Sequence, residues 1–371
     1  MCFFIKEPLK ENSKITFFIG RKERIVEKIK AAIMYKVNDI RIEEVERPKV
    51  GMNEVMLKVK SVGICGSDLH YYKHGRIGKV TVNQPIILGH ETAGEIVEIG
   101  KNVKERHVGD RVIIEPGTPC GVCKMCKTGR YNLCLDMIFR AHPPTHGTFV
   151  EFLVCRSDLV FPIPDDMSFE VGAMLEPLAV GVYVSGLTNT KPDDTVTILG
   201  SGPIGLSILQ VMRAIGVSKI FITDLLETRL ELAKRLGATA AINVSIKDPV
   251  KEIMDLTNGN GTEIVIEAVG DPKTYFMTTD IAAMGGTIIF VGMASETVFP
   301  INVDQIVSKE LIVKGSFRYA NAFPKAIALA ASGKVDMGAL ITHRYPFEKI
   351  KEAMDCAYEC KDKAIKVVVN F

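Results

Sequence analysis

No uninterrupted apolar stretch in this sequence approaches the ~18 to 20 residues that a membrane-spanning helix requires. Charge of one sign is also missing: 46 Lys and Arg stand against 44 Asp and Glu, for a formal +2, and no basic block exceeds a few residues. That leaves no electrostatic footprint for nucleic acid or an anionic membrane, and a small neutral substrate fits better. A disulfide framework is excluded as well. The 371 residues far exceed the length of stapled secreted scaffolds, and the nine cysteines are an odd number with four crowded into one short run. Such a run reads as reduced thiols that bind metal. The N-terminus has no signal-peptide core, because its apolar patches at residues 2–5 and 15–19 are broken by Lys6, Glu7, Lys10, Glu11 and Lys14. A cytoplasmic location is the expectation. With 47% apolar and 24% charged residues the chain is not disordered, and at roughly 100 to 200 residues per domain it accommodates two or three domains.

Residues 1–29 are charged and irregular and read as an N-terminal extension. From there to residue 184, β-rich runs at 54–62, 93–99, 111–114 and 148–154 are separated by Gly and Pro with little helical periodicity, which predicts a mostly β domain. Over residues 185–320 the pattern alternates: strand 195–199, helix 206–215, strand 219–223, helix 227–236, strand 240–244, helix 250–256, strand 263–269, helix 274–283 and strand 287–291. Alternation of this kind predicts an α/β, doubly wound parallel sheet. Residues 321–371, with helices at 323–331 and 347–358 and a strand at 364–369, are expected to return to the first domain.

Gly200-Ser201-Gly202-Pro203-Ile204-Gly205 follows a strand and opens a helix. In that context its backbone N–H groups and the helix dipole can receive a pyrophosphate, whereas three glycines alone would equally make a flexible turn. Asp224 ends the next strand, 19 residues after Gly205, where a carboxylate can accept from ribose hydroxyls and repel a 2′-phosphate. NAD is therefore expected rather than NADP. Arg229 could stack on adenine or be an ordinary solvated helix residue.

Cys120, Cys123, Cys126 and Cys134 are spaced C-x2-C-x2-C-x7-C, with Gly121 and Gly129 at the turns. Four thiolates at such spacing can close a tetrahedral zinc shell and leave no open position, so this metal is expected to be structural. Buried free thiols would not cluster so tightly, an iron–sulfur cluster shares the ligand type though not the spacing, and no basic flank supports a nucleic-acid module. Cys65 and the pair His90-Glu91 form a second set of potential ligands, too far apart in sequence for spacing to establish proximity. Each is equally a satisfied core residue when taken alone.

The run Gly63-Ile64-Cys65-Gly66-Ser67-Asp68, the motif Gly89-His90-Glu91, the four-cysteine loop and the Gly200–Gly205 turn stand in the order seen in zinc-dependent medium-chain dehydrogenases. The resemblance spans residues 30–371. Three further segments, Leu69-His70-Tyr71-Tyr72-Lys73-His74-Gly75-Arg76-Ile77-Gly78, Leu175-Glu176-Pro177-Leu178-Ala179-Val180-Gly181 and Gly315-Ser316-Phe317-Arg318-Tyr319, are similar to the sorbitol (L-iditol) and xylitol dehydrogenase branch. The resemblance implies a GroES-like, mostly β catalytic domain over 30–184 joined to a Rossmann domain over 185–320. It implies two zinc ions per chain, one structural and one catalytic, the latter on Cys65, His90 and Glu91 with Glu176 contacting the metal or its water. Tyr71, Glu176, Arg318 and Tyr319 would then meet a polyol. Gly200, Gly202, Ile204, Gly205, Asp224 and Arg229 would hold NAD, with Val291, Gly292, Met293, Phe317 and Arg318 along its nicotinamide half. Ser67 and His70 resemble a hydroxyl–imidazole proton relay, or a capped turn beside an exposed histidine. The branch also implies a homotetramer, with neither nucleic acid nor membrane as partner.

Zinc can lower the pKa of bound water from about 15.7 to about 7, and the same polarisation eases ionisation of an alcohol. The activity expected is oxidation of a secondary hydroxyl of sorbitol, L-iditol or xylitol to the ketose. A relative acting on L-threonine or 2,3-butanediol would share the metal and cofactor residues, and a non-catalytic NAD-binding zinc protein would carry one zinc. His74, His107, His142, His146 and His343 gain no role from their spacing, nor do Cys2, Cys155, Cys356 and Cys360.

Overall fold

The computed structural model describes residues 27–294 and 298–371. The N-terminal patches at 2–5 and 15–19 lie outside the described residues, and the first strand, Lys28–Lys36, takes in the end of the predicted extension. Among the described residues no helix is long and apolar enough to cross a membrane.

Two sheets organise the chain. The first has seven strands and places Glu54–Gly63 at its centre, between Glu91–Ile99 on one side and Lys366–Asn370 on the other, with Phe152–Arg156 also paired to it. The C-terminal strand thus pairs directly with Glu54–Gly63, a strand from the first part of the chain. The strand predicted at 148–154 lies later, at Phe152–Arg156, and ahead of it Val150 forms an isolated bridge to Ala31.

The second sheet has six parallel strands in the spatial order Ala240–Asn243, Lys219–Asp224, Thr195–Leu199, Thr262–Glu267, Ala282–Phe290, Ile312–Gly315. The order reverses beside Thr195–Leu199. In an open α/β sheet the crevice beyond the carboxyl ends at such a switch point is where ligands bind.

Helices within residues 30–184 depart from expectation. Gly66–His74, Phe169–Ala173 and Leu175–Thr188 are helical, and the last runs through position 184, where sequence pattern changes. Leu175, Leu178, Val182 and Val184 are all buried, so apolar residues lie on more than one face and the helix shows no amphipathic period. It packs against Pro203–Ala214 and Phe323–Ala331. Gly181 permits the first contact, since a Cβ there would lie 3.0 Å from the Ser207 carbonyl oxygen. Each buried Leu or Val contributes about 1.5–3 kcal/mol, which outweighs the helix-breaking reputation of Pro177, a residue of the first turn whose N–H would have no partner anyway.

Candidate active site and metal centres

The pairing of Glu54–Gly63 with Glu91–Ile99 sets Gly63 opposite Glu91. Cys65, two residues past Gly63, then caps helix Gly66–His74. Asp68 joins the two loops: its Oδ2 accepts from the Cys65 N–H at 3.0 Å and its Oδ1 from the Gly89 N–H at 2.9 Å. Cys65 Sγ, a His90 ring nitrogen and a Glu91 carboxylate oxygen consequently lie within 4.8 Å of one another. A Cβ at Gly63 would collide with Glu91 Oε2, so this position must be glycine for the carboxylate to reach the cluster.

The cluster fits a divalent zinc. Thiolate, imidazole and carboxylate are the donors that zinc accepts. His90 Nδ1 is buried with no hydrogen bond, 3.7 Å from Asp68 Oδ1, so Asp68 would orient the ring for a metal held on its other nitrogen. Burial would lower the His90 imidazole, but Asp68 and Cys65 outweigh it and raise it well above its ordinary value. The site therefore attracts positive charge. Behind it, Lys366 donates to both Glu91 oxygens, at 2.7 and 2.8 Å, and to the Ile64 carbonyl at 3.2 Å.

Glu176 is not in that mutual set. It is buried on helix Leu175–Thr188 and accepts from Tyr319 Oη at 2.5 Å. Burial pushes its carboxyl up, aided by Glu91 and opposed by His90, and burial likewise pushes the Tyr319 hydroxyl up.

Cys65, His90 and Glu176 open onto a cleft of about 290 Å³ that Ser67, Tyr71, Ile204, Val291, Met293, Phe317, Arg318 and Tyr319 also line. His70 is exposed and does not line it. Sequence reasoning missed several residues there, Phe139 and His142 among them. Tyr71 Oη lies 3.0 Å from His142 Nδ1, and burial together with Arg318 lowers the His142 imidazole. A neutral His142 that accepts from Tyr71 keeps its Nε2–H as a donor. The Arg318 guanidinium lies over Phe139, 4.1 Å from the ring centroid, and over Phe317 at 4.7 Å. Its backbone is left-handed, φ +53°, a conformation that costs a non-glycine residue about 1–3 kcal/mol and persists only where its surroundings hold it.

At the switch point, Gly200 has φ +101° and Gly202 caps helix Pro203–Ala214. A Cβ on Gly202 would meet only Arg229 Nη1, at 3.8 Å, which leaves the turn open for a pyrophosphate. A Cβ on Gly205 would instead collide with the Gly200 carbonyl, so this glycine serves helix–strand packing. Asp224 accepts from the Ser201 N–H at 2.9 Å and the Leu226 N–H at 3.0 Å, and Arg229 Nη1 lies 4.0 Å from it. Arg229 also donates to the Lys361 carbonyl at 3.2 Å. Gly292 sits against Gly270, and its carbonyl accepts from Tyr275 at 2.5 Å.

The second cluster is geometrically complete. Cys120, Cys123, Cys126 and Cys134 offer sulfurs within 4.8 Å of one another, with Cys120–Cys126 at 3.9 Å and Cys123–Cys126 at 3.5 Å. Zinc–sulfur bonds of ~2.3 Å in a tetrahedron require sulfurs ~3.8 Å apart. N–H donors from Val122 and Cys123 lower Cys120 to about 7, whereas burial and its sulfur neighbours push Cys126 up to about 12. Four sulfurs this close together fit a four-thiolate metal.

A dinucleotide turn that faces a Cys/His/Glu cluster across one cleft defines a metal-dependent dehydrogenase. Residues 51–165 match the alcohol dehydrogenase GroES-like domain, and residues 203–332 the zinc-binding dehydrogenase family. Sorbitol dehydrogenase of Bacillus subtilis (strain 168) is 44% identical over 345 residues, covering 93% of this chain and 98% of that protein. Among solved structures, an alcohol dehydrogenase from E. coli CFT073 complexed with NADH is 31% identical with a TM-score of 0.86, covering 93% of this chain and 99% of that one. The 2R,3R-butanediol dehydrogenase of Bacillus subtilis is 33% identical with a TM-score of 0.84, at 92% and 99% coverage. The chain belongs to the zinc-dependent medium-chain dehydrogenases.

Proposed function

We propose that the chain oxidises a secondary hydroxyl of a polyol, with sorbitol, L-iditol and xylitol as candidates, to the ketose with hydride transfer to NAD. The observation that carries this reading is the convergence of the Cys65–His90–Glu91 cluster, the Glu176–Tyr319 pair and Arg318 on one cleft. A zinc ion held by Cys65, His90 and Glu91 would supply Lewis acidity toward the alcohol oxygen, and NAD the hydride acceptor. Arg318 and Tyr319, with the neutral His142, offer several donors and acceptors to a polyhydroxyl chain. A simple alkyl alcohol would ask only for apolar walls. Ser67 lines the cleft and would pass the alcohol proton outward, with the exposed His70 as the next group of the relay.

Asp224 favours NAD, since a 2′-phosphate would meet a carboxylate already fixed by two N–H groups. The four-thiolate cluster would hold a second, structural zinc. Homo-oligomerisation is supported by the strand Ile312–Gly315 at the sheet edge, where Ile312 is 51% exposed and Val313 37%. The related butanediol dehydrogenase keeps a diol-specific reading in view, and a threonine pocket would need partners for both an ammonium and a carboxylate. Cys65→Ser tests the assignment: it should remove one zinc per chain and abolish turnover while NADH still binds. Retained turnover would refute the site.

A further inference from the structure

The four-cysteine loop does more than close on itself. Asn132, in the short helix Tyr131–Leu133 just ahead of Cys134, is 2% exposed and donates through one amide nitrogen to two acceptors. One is the Phe317 carbonyl at 2.9 Å, the other Tyr183 Oη at 3.0 Å. A carbonyl can only accept, so the amide nitrogen must face Phe317. Tyr183 belongs to helix Leu175–Thr188, which carries Glu176, and Phe317 immediately precedes Arg318 and Tyr319. Asn132 therefore touches both elements that form the Glu176–Tyr319 hydrogen bond.

Two further contacts run the same way. Tyr131 Oη accepts from the Asn321 N–H at 2.7 Å, and the Gly129 carbonyl accepts from Asn321 Nδ2 at 2.8 Å. The segment between these anchors holds two left-handed residues, Arg318 at φ +53° and Asn321 at φ +56°. Asparagine tolerates that region; arginine does not without help from outside. The Asn132 Oδ1 atom, meanwhile, is buried with no hydrogen-bond partner. A side chain that keeps an unpartnered oxygen in order to place its nitrogen owes its position to the two donations.

We propose that Asn132 is a positioning residue: from the four-cysteine loop it fixes residues 317–321 against helix Leu175–Thr188 and so sets Arg318 and Tyr319 for substrate. The loop is then part of substrate recognition as well as of stability. The kinetic consequence rests on the polyol reading above; the structural consequence does not.

Asn132→Leu keeps the volume and removes both donations, and hydrogen–deuterium exchange of the zinc-loaded protein reads the result directly. Exchange in a peptide covering residues 316–322 should rise about tenfold, while strand Lys219–Asp224 stays unchanged. Zinc content should match wild type, NADH affinity should stay within about twofold, and KM for sorbitol should rise about tenfold with kcat changed much less. Unchanged exchange at 316–322, or raised exchange with an unchanged KM, would overturn the proposal. Raised local exchange in a protein whose wild type turns over no polyol would leave the clamp standing and remove the substrate reading. If Asn132→Leu loosens every peptide, Tyr131→Phe decides, since it removes the acceptor for Asn321 and, besides that, a contact with Glu115 outside residues 316–322: a rise of about threefold confined to 316–322 supports the clamp, and none there refutes it.

Discussion

Replacing Lys366 by Met probes how the metal cluster balances its charge. The Lys366 and Glu91 side chains are 3% and 1% exposed, and the ammonium gives both carboxylate oxygens a hydrogen bond. Burial would lower the Lys366 ammonium, yet Glu91 and Cys65 raise it above its ordinary value, so Lys366 keeps its charge near neutrality. Lys366→Met leaves a buried carboxylate uncompensated, a change that costs about 3–5 kcal/mol. Zinc would supply the missing positive charge. The variant should therefore be stabilised by zinc more than wild type is, through linkage between metal binding and folding. Denaturant midpoints of metal-stripped and zinc-loaded protein, for wild type, Lys366→Met, Glu91→Gln and the double variant, complete the cycle. In the stripped state the coupling should reach at least ~2 kcal/mol, with the double variant recovering most of the loss. A coupling below ~0.5 kcal/mol, or equal stabilisation of wild type and Lys366→Met by zinc, would refute the reasoning.

Three other outcomes follow from the same geometry. Glu115 is 6% exposed, and burial pushes its carboxyl from 4.5 up to about 7, so the folded protein holds a proton that the unfolded chain releases. Stability from this group is greatest below the unfolded value and falls by about 3 kcal/mol as pH rises to about 7. Glu115→Gln should abolish that slope and gain on wild type at about pH 8, in thermal melts run from about pH 5 upward; parallel curves would count against it. Asp224→Ala should raise KM for NAD about tenfold and narrow the preference over NADP, checked by steady-state kinetics with both cofactors. His142→Phe removes the partner of Tyr71 and one donor in the cleft, and should raise KM for sorbitol about fivefold while kcat and zinc content hold.

How far the sequence carried depends on the range of the interaction. Thr195–Leu199 and Phe323–Ala331 lie where their patterns predict, because alternating strands and amphipathic helices announce themselves locally. Helix Leu175–Thr188 did not, since apolar residues on most of its faces erase the amphipathic period. The four cysteines were legible from spacing alone. The Cys65–His90–Glu91 cluster depends on the register that sets Gly63 opposite Glu91, and that register includes an irregularity between Val59 and Ser61 that no local pattern signals. Lys366 reaches Glu91 from a strand at the other end of the chain, where Val368 pairs with Gly63. His142 and Asn132 carry no motif; their partners, Tyr71 and Phe317, are assembled only by the fold.

The central claim is that this cleft transfers hydride from a polyol to NAD with help from zinc. Its most direct test is NADH formation from sorbitol, xylitol, L-threonine and 2,3-butanediol, each with and without a zinc chelator. Chelator-sensitive turnover of sorbitol or xylitol, well above threonine and butanediol, is the predicted result. Turnover of threonine or butanediol alone, or polyol turnover indifferent to chelator after metal removal is verified, would contradict the account.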